Sequence, residues 1–204
     1  MKLQDYLIEQ EEGLEYFIPK IQADCKPFLK DIRNAAGSLF RDDTKNRNKP
    51  VWKKVTRTDR QPLDTHPDIH KALDDWFLKK FGWRARSAGL FCWPLKFTTD
   101  WVQGKWLVFP AGNYKYIWSN KVDDLWGSVG GLNITGIQDN VDYFMKHFSD
   151  SYTDKNIKKS MIWEGEVMVN CKYSYLARAE LMEPLNEALG LNWQGAIYKG
   201  RKIP

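Results

Sequence analysis

Apolar residues recur at steps of three and four through Leu14, Phe17, Ile18, Ile21, Cys25, Phe28, Leu29 and Ile32, which lays one stripe along a helix. Pro19 and Pro27 interrupt the stripe and predict two pieces or a kink. Asn34-Ala35-Ala36-Gly37 stops it, and Ser38-Leu39-Phe40-Arg41 reads as a short strand ending on a charge. Asp42 to Asp64 is a long polar connection rich in Lys and Arg, of a length that in compact domains usually serves function. Asp64-Thr65 offers a helix cap before Pro67, and Ile69, Leu73, Trp76, Phe77 and Phe81 mark an amphipathic helix closed by Gly82.

The period then changes to that of strands. Ala88 to Trp93, Lys105 to Phe109 and Tyr114 to Trp118 are strand candidates, with a turn at Pro110-Ala111-Gly112-Asn113. Gly127 to Gly136 reads as a glycine-containing loop, and Ile137, Val141, Phe144 and Phe148 mark a further helix. Trp163 to Val169 and Tyr173 to Ala177 are expected to form a strand pair around Asn170-Cys171-Lys172. A short helix near Leu181 to Leu189 and a strand near Trp193 to Tyr198 follow. Helices first, then short strands with a helix among them, predict an α+β fold with mostly antiparallel pairing. No Gly-x-Gly-x-x-Gly opens a helix after a strand, which argues against a Rossmann site, and no P-loop sequence is present.

Composition narrows this picture. A length of 204 residues suits one domain, here residues 1–204, with 1–37 as an N-terminal helical segment and 38–204 as the core. The net charge of +5, with both signs interspersed, permits an anionic partner without demanding one. Ten Trp, nine Tyr and ten Phe supply core filling and stacking surfaces for bases or nicotinamide rings. Cys25, Cys92 and Cys171 are far apart and odd in number, so neither a disulfide framework nor a zinc site is expected. His66, His70 and His147 make no convincing metal set. Met1-Lys2-Leu3-Gln4-Asp5 carries no apolar core of signal-peptide length, and no apolar run approaches a membrane span, so a cytoplasmic location without membrane contact is expected.

Three places combine a strand with polar residues that packing does not need. Arg41 ends a strand, where its planar fork suits a phosphate. Arg84-Ala85-Arg86-Ser87 stands at the entrance of the next strand and suits a dinucleotide. Glu164-Gly165-Glu166 introduces Val167-Met168-Val169; on a strand its two acids share a face, and Gly165 allows a ligand close to the backbone. Paired acids repel each other and so often serve a site.

The order Arg, Ser, Glu-x-Glu resembles the mono-ADP-ribosyltransferases of the Arg–Ser–Glu type. Phe40-Arg41 resembles the first motif, Arg86-Ser87-Ala88-Gly89-Leu90-Phe91 falls where the second belongs, and Glu164-Gly165-Glu166-Val167-Met168-Val169 resembles the third. Trp106 to Tyr116 is similar to the strand pair between them, and Asp24 to Asp124 is similar to small phage-encoded proteins with this arrangement. The resemblance implies a split, mostly antiparallel sheet and cleavage of the nicotinamide–ribose bond of NAD, with ADP-ribose passed to a protein or nucleic acid. If the chain is phage-encoded, that acts in the host cytoplasm. It implies that Glu166 stabilises the oxocarbenium-like transition state, that Glu164 orients the acceptor and that Arg41 holds a phosphate of NAD. Ser87 then orients the glutamate or the ribose, and Phe40, Phe91, Trp93 and Trp163 are candidates for an aromatic wall. Two departures stand out: Asp42 replaces the family's glycine after Arg41, and the second strand carries Cys92 where a Ser-Thr-Ser is usual. A nucleic-acid-binding module, through the basic stretch Trp52 to Arg60, and an inactive virion or structural protein of the same fold are the competing readings.

Overall fold

The computed structural model describes residues 13–43, 48–61, 65–96, 105–125, 127–128, 136–163 and 165–191, residues 95 and 96 by their backbone only. The strand expected near Trp193 and most of the Gly127–Gly136 loop lie outside the described residues, as does Glu164.

The N-terminal stripe forms two helices, α1 (Leu14–Asp24) and α2 (Lys26–Ile32), parted at Cys25. Pro27 falls in the first turn of α2, where a missing N–H costs nothing. Next come β1 (Gly37–Asp42), β2 (Val51–Val55), α3 (Pro67–Phe81), α4 (Ala85–Ala88) and β3 (Leu90–Lys96). They are followed by β4 (Lys105–Pro110), β5 (Lys115–Ser119), α5 (Ile137–His147) and β6 (Tyr152–Thr153). The short α6 (Ile157–Ser160), β7 (Val167–Asn170), β8 (Tyr173–Arg178) and α7 (Met182–Leu189) complete the order. The fold is therefore α+β. Its eight strands run in the order β2-β8-β4-β1-β3-β7-β5-β6, and every pairing among the described residues is antiparallel.

Several local expectations are corrected. The polar connection after Asp42 contains the strand β2, whose Val51, Lys53 and Val55 alternate with Trp52 and Lys54. Lysine stems are compatible with an edge strand. The cap of α3 is His66, which accepts from the Asp68 N–H, while Thr65 uses its hydroxyl on Arg86. Residues 85–88 form a helical turn, so the following strand starts at Leu90. Consecutive strands also do not pair as hairpins. β7 lies between β3 and β5, whereas β8 lies between β2 and β4. The turn between β4 and β5 likewise sends its N–H groups elsewhere, Ala111 to the Tyr173 carbonyl and Gly112 to the Asp24 carbonyl.

The register of β3 divides the sheet. Its residues 90–92 pair with β7, and its residues 93–96 pair with β1. Two apolar cores accompany the two parts. The larger joins Phe17, Ile21, Phe28 and Ile32 of α1 and α2 to Leu39, Phe40, Leu107 and Leu176. The smaller joins Leu73 and Phe77 of α3 to Phe144 of α5, Ile117, Tyr152 and Met168. Trp76 meets Phe77, Phe81, Phe144 and Tyr152 edge-on, so these aromatics serve packing. No helix among the described residues is long and apolar enough to cross a membrane.

Candidate functional site

β3 changes neighbours between Cys92 and Trp93, and the site lies there. On one side the β1 ladder ends at the pair Phe40↔Trp93, so Arg41 is the first residue past it. On the other side the β7 ladder begins at Cys92↔Val167, so Glu166 is the last residue before it. Arg41 and Glu166, far apart in sequence, thus flank the same point of β3. Arg41 donates from Nη1 to the Phe91 carbonyl at 3.1 Å and pairs across β1–β4 with Trp106.

Glu166 is only 7% exposed. Its own N–H donates to the Asp123 carbonyl at 2.7 Å. Burial pushes its carboxyl up to about 7; Arg86 opposes that rise, the nearby Asp124 adds to it, and Arg60 and the Leu125 N–H oppose it. Gly165 is required by the chain itself, because a Cβ there would stand 2.6 Å from the Trp163 indole nitrogen and 2.7 Å from the Val122 carbonyl. Packing alone therefore accounts for the glycine, without a ligand. β7 starts only at Val167, so the shared face expected of two acids on one strand does not follow either.

Two guanidiniums, Arg86 and Arg60, act on Glu166, and Arg41 acts in turn on Arg60. Arg60 has its guanidinium carbon 4.0 Å from the centre of the Phe91 ring, and Arg86 has its own at 5.5 Å. Arg86 is 8% exposed, donates to the Thr65 hydroxyl at 3.1 Å and has a buried Nε without a partner. Burial, Arg86 and Arg41 all lower the pKa of Arg60, and Glu166 alone raises it. Such a group of like charges around one carboxylate is suited to an anion with several negative oxygens. Arg84 takes no part: it binds Asp75 at 2.6 Å on the surface.

Ser87 belongs to a knot on α3 and α4. Asp74, 1% exposed, accepts from the backbone N–H groups of Arg86 and Ser87 and from the Ser87 hydroxyl. Nε2 of His70 lies 3.2 Å from the same hydroxyl. His70 Nδ1 is buried without a partner, and burial followed by Arg86 lowers the pKa of the ring. A nucleophilic relay needs one imidazole nitrogen on the serine and the other on the acid. Here both partners face Nε2, so the trio holds Ser87 and Arg86 in place and does not activate a nucleophile. Asp74→Asn is expected to lower stability by about 2 kcal/mol, because an amide sets donors against donors. An unchanged urea midpoint would refute this role.

The remaining candidates separate. Phe40, expected as part of an aromatic wall, is 1% exposed inside the larger core, which corrects that assignment. Phe91 faces the arginines, Trp93 is 38% exposed, and Trp163 is half-buried beside Gly165. Cys92 is fully buried and its thiol is pushed up to about 12 by burial, so it supplies no nucleophile. Asp42 receives the Lys105 ammonium at 3.1 Å across the strand pair. In the basic stretch, Lys54 binds Asp43 at 2.8 Å and Lys53 sits over the Tyr173 ring at 3.6 Å. No His, Cys, Asp and Glu grouping able to hold a metal occurs among the described residues.

Arg60, Asp74 and His70 were not singled out for this site from the sequence. Asp74 and His70 carried a signal, since both lie on the buried face of α3 among Ile69, Leu73 and Phe77. A buried polar residue on an apolar face calls for a partner. Arg60 carried none beyond its basic neighbours. No protein-family model, curated protein or solved structure matches the chain.

Proposed function

We propose that the chain is a mono-ADP-ribosyltransferase that splits NAD and passes ADP-ribose to a macromolecular acceptor, protein or nucleic acid. The observation that carries this reading is the position of Arg41 and Glu166 on either side of the point where β3 changes partners. The three motifs that resemble the family stand on or beside three neighbouring strands, β1, β3 and β7. A sheet divided at β3 is also in keeping with the split sheet that the resemblance implies.

In this reading NAD is the substrate, and its pyrophosphate is held by Arg41 with Arg86 beside it. Phe91 faces the nicotinamide end. Ionised Glu166 lies under the ribose and stabilises the positive charge that develops as the nicotinamide leaves. Burial of the carboxylate strengthens that interaction, since little water screens it. Ser87, fastened by Asp74, keeps Arg86 in register. Glu164 orients the acceptor nucleophile.

Arg41→Ala tests the phosphate role. Folding is expected to lose about 1 kcal/mol, the worth of its bond to the Phe91 carbonyl. NAD affinity is expected to fall by about 2 kcal/mol, roughly thirtyfold. Calorimetric titration with NAD measures the second quantity, and equal affinity in both proteins would remove Arg41 from the site. Labelled NAD added to a cell lysate with the protein identifies the acceptor.

A further inference from the structure

We infer that Arg60 is an internal occupant of a pocket built for a planar cation, the place the nicotinamide ring takes when NAD binds. The identity of that ring rests on the transferase reading; the place itself is the face of Phe91 that the Arg60 guanidinium covers.

A guanidinium is flat, cationic and weakly hydrated, and it stacks well on aromatic faces. Arg60 holds such a group 4.0 Å from the centre of the Phe91 ring, within the electrostatic reach of buried Glu166. The nicotinamide of NAD is likewise a flat cation. An aromatic face beside a carboxylate attracts either one. Arg60 therefore fills the place with a group of the same charge and shape.

Its hold is built to yield. Arg86 and Arg41 both repel it, against the attraction of Glu166 and of the Phe91 face. The backbone of Arg60 is fastened separately, through its N–H to the Ser87 carbonyl at 3.1 Å. The side chain can thus leave without moving that anchor. NAD brings a cationic ring together with two phosphate charges. The ring replaces the guanidinium on Phe91, while the phosphates meet Arg41 and Arg86. The arginine thereby lowers apparent affinity by the fraction of time it occupies the pocket.

Two probes separate this inference from the reading it rests on. 1-Methylnicotinamide carries the ring alone and reports on the pocket without any reaction. R60A is expected to bind it about tenfold tighter than the wild type by calorimetry, and to show a KM for NAD about tenfold lower. R60A,E166Q is expected to lose the gain in 1-methylnicotinamide binding. If R60A is too unstable to assay, R60Q, which keeps a flat group without the charge, is expected to move both values in the same direction. A higher KM for NAD in R60A with no gain in 1-methylnicotinamide binding would overturn the inference and make Arg60 a phosphate contact. Unchanged values for both probes, with NAD still split, would also overturn it while leaving the transferase reading intact. Tighter 1-methylnicotinamide binding with no NAD splitting by either protein would support the pocket and sink the transferase reading.

Discussion

Glu166→Gln is expected to reduce the splitting of NAD by roughly a hundredfold or more. Glutamine keeps the shape of the side chain and an oxygen for the Leu125 N–H, but not the charge that stabilises an oxocarbenium ion. Every route that breaks the nicotinamide–ribose bond passes through that ion, so transfer and hydrolysis fall together. Glu164→Gln provides the contrast: transfer is expected to fall while hydrolysis persists, because water needs little orientation. NAD binding is expected to survive in both variants, since neither change touches Arg41, the proposed anchor. Nicotinamide release, measured with and without a target lysate, distinguishes these cases. Equal loss of both activities in the two variants would refute the division of roles.

The second large effect is on stability. The carboxyl of Glu166 rises from an ordinary 4.5 to about 7 in the folded chain, chiefly because it is buried. The folded state therefore keeps a proton that the unfolded chain has already lost between these values. That preference is fully present below about pH 4.5 and is lost as pH rises through about 7. Above that, a buried charge costs the folded protein on the order of 3 kcal/mol. Glu166→Gln removes the titration. The attraction of the ionised carboxylate to Arg86 and Arg60 is already contained in that value of about 7. The stability of the variant relative to the wild type should therefore climb from pH 5 to pH 8. Urea unfolding at the two pH values measures this, and parallel pH curves would refute it. The activity of the wild type should rise over the same interval, because in the proposed mechanism only the ionised carboxylate stabilises the transition state.

Local patterns carried much of the fold. The stripe from Leu14 to Ile32, the stop of α3 at Gly82, and the apolar strand after Glu166 each depend on neighbours within a few residues, and each was legible. Pairing was not. The short turns after β4 and β7 read as hairpins, yet β5 and β7 joined one side of β3 while β4 and β8 joined the other. That choice depends on which faces the helices cover, and periodicity along one strand holds no record of it. β2 was missed because its lysines made Val51-Trp52-Lys53-Lys54-Val55 look like solvated loop. In the site, Arg41 and Glu166 stood out by ending or opening a strand. Arg60 did not, because a loop arginine acquires its place on Phe91 only from tertiary packing. Phe40 failed for the converse reason: its neighbour Arg41 marked the segment, but alternation turned the ring into the core.

The central claim is that this chain splits NAD. The most direct test is nicotinamide release from NAD by the purified protein, with thermal unfolding followed in the presence and absence of NAD. A release rate above that of buffer, together with a higher melting temperature in NAD, is the predicted result. No release and no change in melting, at NAD concentrations well above those in a cell, would contradict it.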